Sequence, residues 1–515
     1  MIDPSGQDAV RVLFVLGQLG GTAEVEVRRL AAALDRSRYR IDVLVCFLPP
    51  GMAARSAALL TATGVAVDTT PYHLSFEDTV AYLASTLPGY HAVVAQPDVP
   101  DVAPALARLH LRPTLIEPVI GRTVPQWTAL FDAARRPPAP APAPLFRSFF
   151  QGGFECSTHR RGRDRERVDV IAATAHDRRA QSDYARLQDH GLLTVRDGLR
   201  WHLIETAPGR YDWSSLERQL AGAAATGTQV IWDLLHYGWP DDLDIWTPDF
   251  VTRFAAFAAA AAQLMGARTE GICFYAPVNE ISFLSWGGGD VGYMNPFGTG
   301  RGFELKVQLA RAAVAAMEAI RRSDPAARFV HADPVINIAI DPARPRDAAA
   351  AEGNRLAQFQ GWDLIAGAMW PQIGGRADLL DIVGVNFYHN NQWIHGGPPI
   401  ARGHAQYKPF HMMLAETYAR YGRPIFVAET GIEGEARPEW LAYVADEVAK
   451  AIALGVPMAG ICLYPVLDHP GWDDDRYCPN GLLHHHPEDD SRDVYAPLAA
   501  ELARQRARFA DLEEQ

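Results

Sequence analysis

PIFVAETG, residues 424–431, is the stretch on which the fold turns: an apolar run from Ile425 to Ala428, closed by Glu429 and a Thr-Gly turn. A short apolar run bounded by turn residues is consistent with a buried strand of a parallel sheet, and in barrels of such strands the chemistry sits where strand hands over to loop. ICFYAPVNE, residues 272–280, repeats the pattern and closes on Asn279 and Glu280. Six more runs of this kind are expected to be strands: Phe149–Phe154, Leu193–Gly198, Gln229–Leu235, Arg328–Ala332, Asp381–Phe387 and Ala459–Tyr464. Between them lie Ala-rich stretches such as FVTRFAAFAAAAAQLMG and LKVQLARAAVAAMEAIRR, which have high helix propensity. Eight strands alternating with helices predict an α/β fold of the (β/α)8-barrel type.

Upstream, residues 135–145 read RRPPAPAPAPL, a Pro-Ala tract whose fixed φ angles and missing N–H donors favour extended chain over packing. It sets the expected division: an N-terminal domain over 1–134, a linker over 135–146 and the barrel over 147–515. Within the first part, VRVLFVL (residues 10–16) leads through Gly20-Gly21 into a stretch with Val27, Leu30, Ala31 and Leu34 at helical spacing. Further strands are predicted at Ile41–Phe47, Val65–Asp68, Ala92–Ala95 and Thr114–Glu117, giving a small doubly wound, Rossmann-like sheet.

Composition narrows the partners. The 515 residues carry a net charge of −13 without a long basic block, which disfavours nucleic acid, because phosphate binding needs clustered Lys and Arg. Five scattered cysteines suggest reduced thiols rather than a disulfide framework. No leader-like or membrane-spanning apolar run is apparent, so a cytoplasmic protein is expected. His484-His485-His486 are adjacent, and neighbouring histidines do not converge on one ion, so neither a metal nor an organic cofactor is expected. Oligomeric state is left open.

A lone glutamate ending a strand usually reads as a solvated loop residue. Two of them, on the fourth and seventh strands of a barrel, are what glycosidic cleavage with retention requires: one acid to protonate the leaving oxygen and one carboxylate, about 5 to 5.5 Å away, to attack the anomeric carbon. With these residues in view the chain, from about Phe149 to His485, resembles the clan A barrel glycosidases and within them the family 1 β-glycosidases. The resemblance implies Glu280 as acid/base and Glu429 as nucleophile. It implies that Arg196, in RDGLRW, holds the nucleophile ionised, and that His236, in LLHYGWP, and Asn279 contact sugar hydroxyls. It gives Tyr388 a hydrogen bond to Glu429 with Asn386 in support, and places Tyr464 and Trp472 of the strand-eight segment against substrate.

The sequence also departs from that family. Asn-Glu-Pro appears as Asn279-Glu280-Ile281 and Glu-Asn-Gly as Glu429-Thr430-Gly431. Gly471 stands where the family carries a glutamate that grips the 4- and 6-hydroxyls, and Asp473, Asp474 and Asp475 are either its replacement or a solvated acidic loop, the second being favoured. Glu155 and His159 are further sugar contacts to consider, as are Trp201, Trp232, Trp239, Trp286 and Trp393. The N-terminal segment around Gly20-Gly21 resembles the first strand and helix of two-domain nucleotide-sugar glycosyltransferases, though the glycine turn reads more readily as structural. The expected activity is a retaining β-glycosidase acting on a small β-glucoside or β-galactoside. A transglycosidase and a carbohydrate-binding pseudoenzyme are the alternatives.

Overall fold

The computed structural model describes residues 9–47, 50–119, 121–135 and 145–513. Five parallel strands, β1 (Val10–Leu16), β2 (Tyr39–Val45), β3 (Ala66–Asp68), β4 (Ala92–Ala95) and β5 (Thr114–Ile116), form a sheet in the order β3-β2-β1-β4-β5. The order reverses at β1 and β4, as in doubly wound folds. Eight more strands close a parallel barrel in sequence order: β6 (Phe150–Gly153), β7 (Thr194–Gly198), β8 (Gln229–Asp233), β9 (Phe274–Ala276), β10 (Arg328–Pro334), β11 (Ile382–Asn386), β12 (Ile425–Thr430) and β13 (Met458–Leu463). The (β/α)8 barrel and the smaller Rossmann-like sheet are therefore both present. Most of the Pro-Ala tract, residues 136–144, lies outside the described residues.

Strand ends differ from the sequence expectation for local reasons. The run from Ile272 to Val278 pairs only over Phe274–Ala276, since Pro277 has no N–H to give to the ladder. The run at Arg328 continues to Pro334 rather than stopping at Ala332. Inside the barrel, small and branched residues (Ala276, Ala332, Ala428, Val330, Ile231) pack with Phe274 and Phe426 around Phe146, whose ring lies 5.3 and 5.0 Å from theirs. The interior is thus packed as a solid core below the mouth.

Two glycines admit side chains at that mouth. A Cβ at Gly153 would lie 2.1 Å from the ring of Tyr464, and one at Gly198 would lie 2.5 Å from Cys156 Sγ. The sheet and the barrel also touch directly. His110 N–H donates to Ala419 O at 2.7 Å, and Gly89 packs against Met412, where a Cβ would lie 2.5 Å from Cε. Apolar side chains of the two parts (Leu83, Leu87, Tyr90, Met412, Ala415, Ala419) belong to one continuous buried cluster.

Candidate active site

The C-terminal strand ends bring the two glutamates into one buried network. Glu280 follows β9 and is 7% exposed; Glu429 lies within β12 and is 4% exposed. Arg196, on β7, is fully buried and reaches across: Nη1 donates to Glu429 Oε1 at 2.8 Å and to Ala428 O at 3.0 Å, while Nη2 donates to Asp233 Oδ2 at 2.7 Å and to Asn279 Oδ1 at 3.0 Å. Asn279 Nδ2 donates to the Tyr237 hydroxyl at 3.0 Å, and that hydroxyl donates in a very short bond to Glu280 Oε2. An unbroken chain of hydrogen bonds therefore runs Glu280–Tyr237–Asn279–Arg196–Glu429. The end of β11 ties the pair a second time, with Asn386 Nδ2 donating to Glu280 Oε1 at 2.8 Å and the Tyr388 hydroxyl donating to Glu429 Oε2 at 2.8 Å.

This network gives the two carboxyls different charges. Burial pushes Glu280 up to about 8, the neighbouring charge of Glu429 adds to this, and the donors Tyr237 and Asn386 oppose it. Burial raises Glu429 too, and its net direction stays upward, although Arg196, His236 and the Tyr388 hydroxyl act against the rise. Only Glu429 has a cation bonded to it, so it carries the negative charge of the pair and Glu280 keeps its proton near neutrality. One carboxyl poised as an acid beside one held as an anion is the electrostatic asymmetry that acid-assisted nucleophilic displacement uses.

His236 sits behind this pair. Its Nδ1 lies 3.0 Å from Asp233 Oδ2 and its Nε2 lies 3.1 Å from Asn279 Nδ2, so a proton on Nδ1 satisfies both contacts. Burial disfavours the charged ring, but Asp233 and Glu155 outweigh that and raise its pKa. The polar atoms of His236 and Asn279 are thus engaged by protein partners. Tyr464 is buried, its ring parallel to that of His236 at 6.3 Å and facing the Arg196 guanidinium at 5.2 Å. Trp472 is partly buried, with its ring 5.0 Å from His159, 5.6 Å from Tyr237 and 6.1 Å from Phe283. Glu155 accepts from Ser157 N–H at 2.9 Å and lies 3.8 Å from His236 Nε2, on the same wall.

The remaining sequence candidates divide. Trp201 is core, packed on Phe254 and Phe257, and Trp232 and Trp239 are also buried; Trp286 stands at the surface, 51% exposed. The acidic loop is held to its neighbours: Asp475 pairs with Arg161, and Asp473 accepts from the Tyr293 hydroxyl at 2.7 Å. Gly471 donates its N–H to Arg476 O at 2.7 Å in the same turn. The three consecutive histidines face three different acids, His484 to Asp468, His485 to Asp490 and His486 to Asp493.

Cys156, Asp233 and His236 do bring ligand-type atoms within 4.8 Å of one another. Arg196 already supplies the cation for Asp233, so these residues form a hydrogen-bonded support for the site rather than a set that calls for a metal. Sequence reasoning did not single out Tyr237, Asp233 or Cys156. Asp233 is the last residue of its strand, a position masked in the sequence by the apolar Leu234-Leu235 that follows. Tyr237 was not findable, because its contact with Glu280 depends on a left-handed backbone (φ 69°) that turns it inward.

In the N-terminal sheet the glycine turn is closed on itself. Gly20, at φ 96°, donates its N–H to Glu24 Oε2 at 2.6 Å, and Glu24 lies buried in the first turn of the helix Thr22–Ala33. The amide that could greet an anion is taken by the chain's own carboxylate.

No protein-family model matches the chain, and no curated protein sequence does. Solved structures do match. The AHE enzyme from Alicyclobacillus herbarius is 16% identical, with a TM-score of 0.59 over 72% of this chain and 99% of that one. The family 1 β-glucosidase from Thermotoga maritima is 14% identical, with a TM-score of 0.56 over 71% and 98%. The Thermotoga maritima β-glucosidase in complex with glucoimidazole is 14% identical, with a TM-score of 0.58 over 70% and 98%. At such identities the likeness is one of fold: the barrel is shared with family 1 β-glucosidases.

Proposed function

We propose that the protein is a retaining β-glycosidase acting on a small β-glucoside or β-galactoside, with Glu429 as nucleophile and Glu280 as acid/base. The observation that carries this reading is the asymmetry of the buried pair: Arg196 bonded to Glu429 and, among the described residues, no cation bonded to Glu280. Glu429 attacks the anomeric carbon while Glu280 gives its proton to the leaving oxygen, producing a glycosyl ester on Glu429. Glu280, now ionised, takes a proton from water, which attacks the same carbon and frees Glu429. Asn279, His236, Tyr388, Tyr464 and Trp472 shape the sugar site, with Asn386 and Tyr237 holding Glu280. The barrel over 147–515 carries this chemistry without a metal or organic cofactor, and residues 1–134, packed on it and resembling the first domain of nucleotide-sugar glycosyltransferases, serve as a scaffold or partner surface.

The test is a panel of nitrophenyl glycosides, followed by trapping with the matching 2-deoxy-2-fluoro glycoside and mass spectrometry. A covalent adduct on the peptide containing Glu429 is expected. Turnover with inversion, or the absence of turnover and adduct across the panel, would remove the reading. Fusion to a glycosyltransferase-like unit favours a second outcome of the same chemistry, transfer of the sugar to an acceptor hydroxyl, which product analysis with added alcohols detects.

A further inference from the structure

Strand β10 ends in a buried acid that the reaction above does not use. Asp333 is 2% exposed and, among the described residues, has no ion pair; the ammonium of Lys306 is spent on Ala357 O at 3.1 Å and Gln360 Oε1 at 3.0 Å. A buried carboxylate without a cation is costly unless hydrogen bonds replace its water. Here they come from one residue. Ser282 N–H faces both oxygens, at 3.0 and 3.3 Å, and the Ser282 hydroxyl donates to Oδ2 at 2.7 Å. Gly361 leaves room for this, since a Cβ there would lie 2.7 Å from Asp333 Oδ2.

Ser282 is two residues beyond Glu280, and the backbone between β9 and Ser282 is strained. Glu280 sits in the left-handed region at φ 46° and ψ 64°, a conformation that a residue with a side chain holds only when its surroundings impose it. Its N–H donates to Ala332 O at 3.0 Å, the residue before Asp333. The turn is therefore pinned to consecutive residues of β10 on both sides of the strained position.

We infer that Asp333 is a positioning residue: by clamping Ser282 it imposes the left-handed turn that aims the Glu280 carboxyl at the leaving oxygen. The inference rests on Glu280 being the acid/base. Burial pushes Asp333 up to about 7, opposed by the two Ser282 donors and, more weakly, by Lys306 from the helix Gly302–Ser323. Its charge in turn pushes Glu280 up, alongside the larger effects of burial and Glu429 and against Tyr237 and Asn386.

The test uses Asp333→Asn and, as a milder second variant, Ser282→Ala, each compared with the wild-type full chain on two glycosides that share a glycone. A misaimed acid matters for a poor leaving group and hardly at all for 2,4-dinitrophenolate, which departs without a proton. We expect kcat/KM for the methyl glycoside to fall about 100-fold while that for the dinitrophenyl glycoside falls less than about threefold. Equal losses on both substrates, in both variants, would mean a merely structural role and would overturn the inference. Infrared titration of the Glu280 carboxyl, identified by its absence in Glu280→Gln, reads the same coupling without turnover. Its midpoint should move down in Asp333→Asn, and an unmoved midpoint overturns the inference. If the wild type turns over no glycoside, the glycosidase reading is what fails, and the infrared midpoint alone decides the hold of Asp333 on Glu280.

Discussion

The barrel mouth and the Gly-Gly turn of the N-terminal sheet are built from one kind of unit, a parallel strand that hands over to a loop, yet they spend their charges in opposite ways. At Gly20 the backbone amide is answered by Glu24 from within the next turn, so that the chain's own carboxylate takes the donor nearest the turn. At the mouth, Glu280 is buried with hydrogen bonds but no cation, and a single guanidinium serves both Glu429 and Asp233. The first arrangement satisfies local structure. The second buries one acid without a cation beside an anion held by a shared guanidinium, an arrangement that costs stability and is typical of functional sites.

Removing the anion should break the contrast most strongly. On the proposed mechanism, Glu429→Ala is expected to lower kcat on an aryl β-glycoside by about 10^4-fold or more, because it removes the carboxylate that forms the glycosyl ester. Retention of more than a hundredth of the wild-type rate would transfer the nucleophile's role elsewhere. Arg196→Ala comes next. It leaves Asp233 and Glu429 buried without their shared cation, and breaking such a pair typically costs about 3–5 kcal/mol, measurable as a lower urea midpoint. A change below about 1 kcal/mol would mean that water has taken over from the guanidinium.

Much of this contrast was legible in the sequence, for reasons that also mark its limit. The eight strands follow from apolar runs between Ala-rich helices, and the rule that barrel chemistry sits at strand ends leads to Glu280 and Glu429, whereas Arg196, in the middle of β7, comes only from the resemblance of its segment to the family 1 β-glycosidases. Asn386 and Tyr388 fall on opposite sides of one strand end, so a segment motif could find them together. Tyr237, Asp333 and Ser282 act through tertiary approach. Tyr237 and Glu280 meet because both adopt left-handed backbones, and no spacing in the sequence encodes that. The direct contact of His110 with Ala419 was likewise invisible, since the Pro-Ala tract between the two parts suggests separation rather than packing.

The cost of the protonated acid can be measured by removing it. Glu280 titrates at about 8 in the folded protein, against about 4.3 in an unfolded chain, so between these values the native state holds a proton that the unfolded state has released. Stability therefore falls as pH rises through that window. Glu280→Gln has no proton to lose, so it should be more stable than the wild type by on the order of 4 kcal/mol at pH 8, with the gap shrinking toward pH 4. Chemical denaturation across pH 4–9 checks this, and a gap that is flat with pH would mean that Glu280 is ionised throughout.

The smallest effect belongs to the other region. Glu24→Ala frees the Gly20 amide and removes the acid from the first turn of its helix, a loss of about 1 kcal/mol if the bond acts as a cap. Because Gly20 and Gly21 are exposed, water can reach the freed N–H, which keeps the penalty at the scale of a cap rather than of a buried unsatisfied donor. The continuous apolar cluster from Leu83 to Ala419 predicts how this loss is read out. Two parts that share a core should unfold together, so the variant should lower a single cooperative transition and leave kcat/KM of the barrel unchanged. Two separated transitions, with only the earlier one shifted, would show that the sheet and the barrel are energetically independent in spite of their contact.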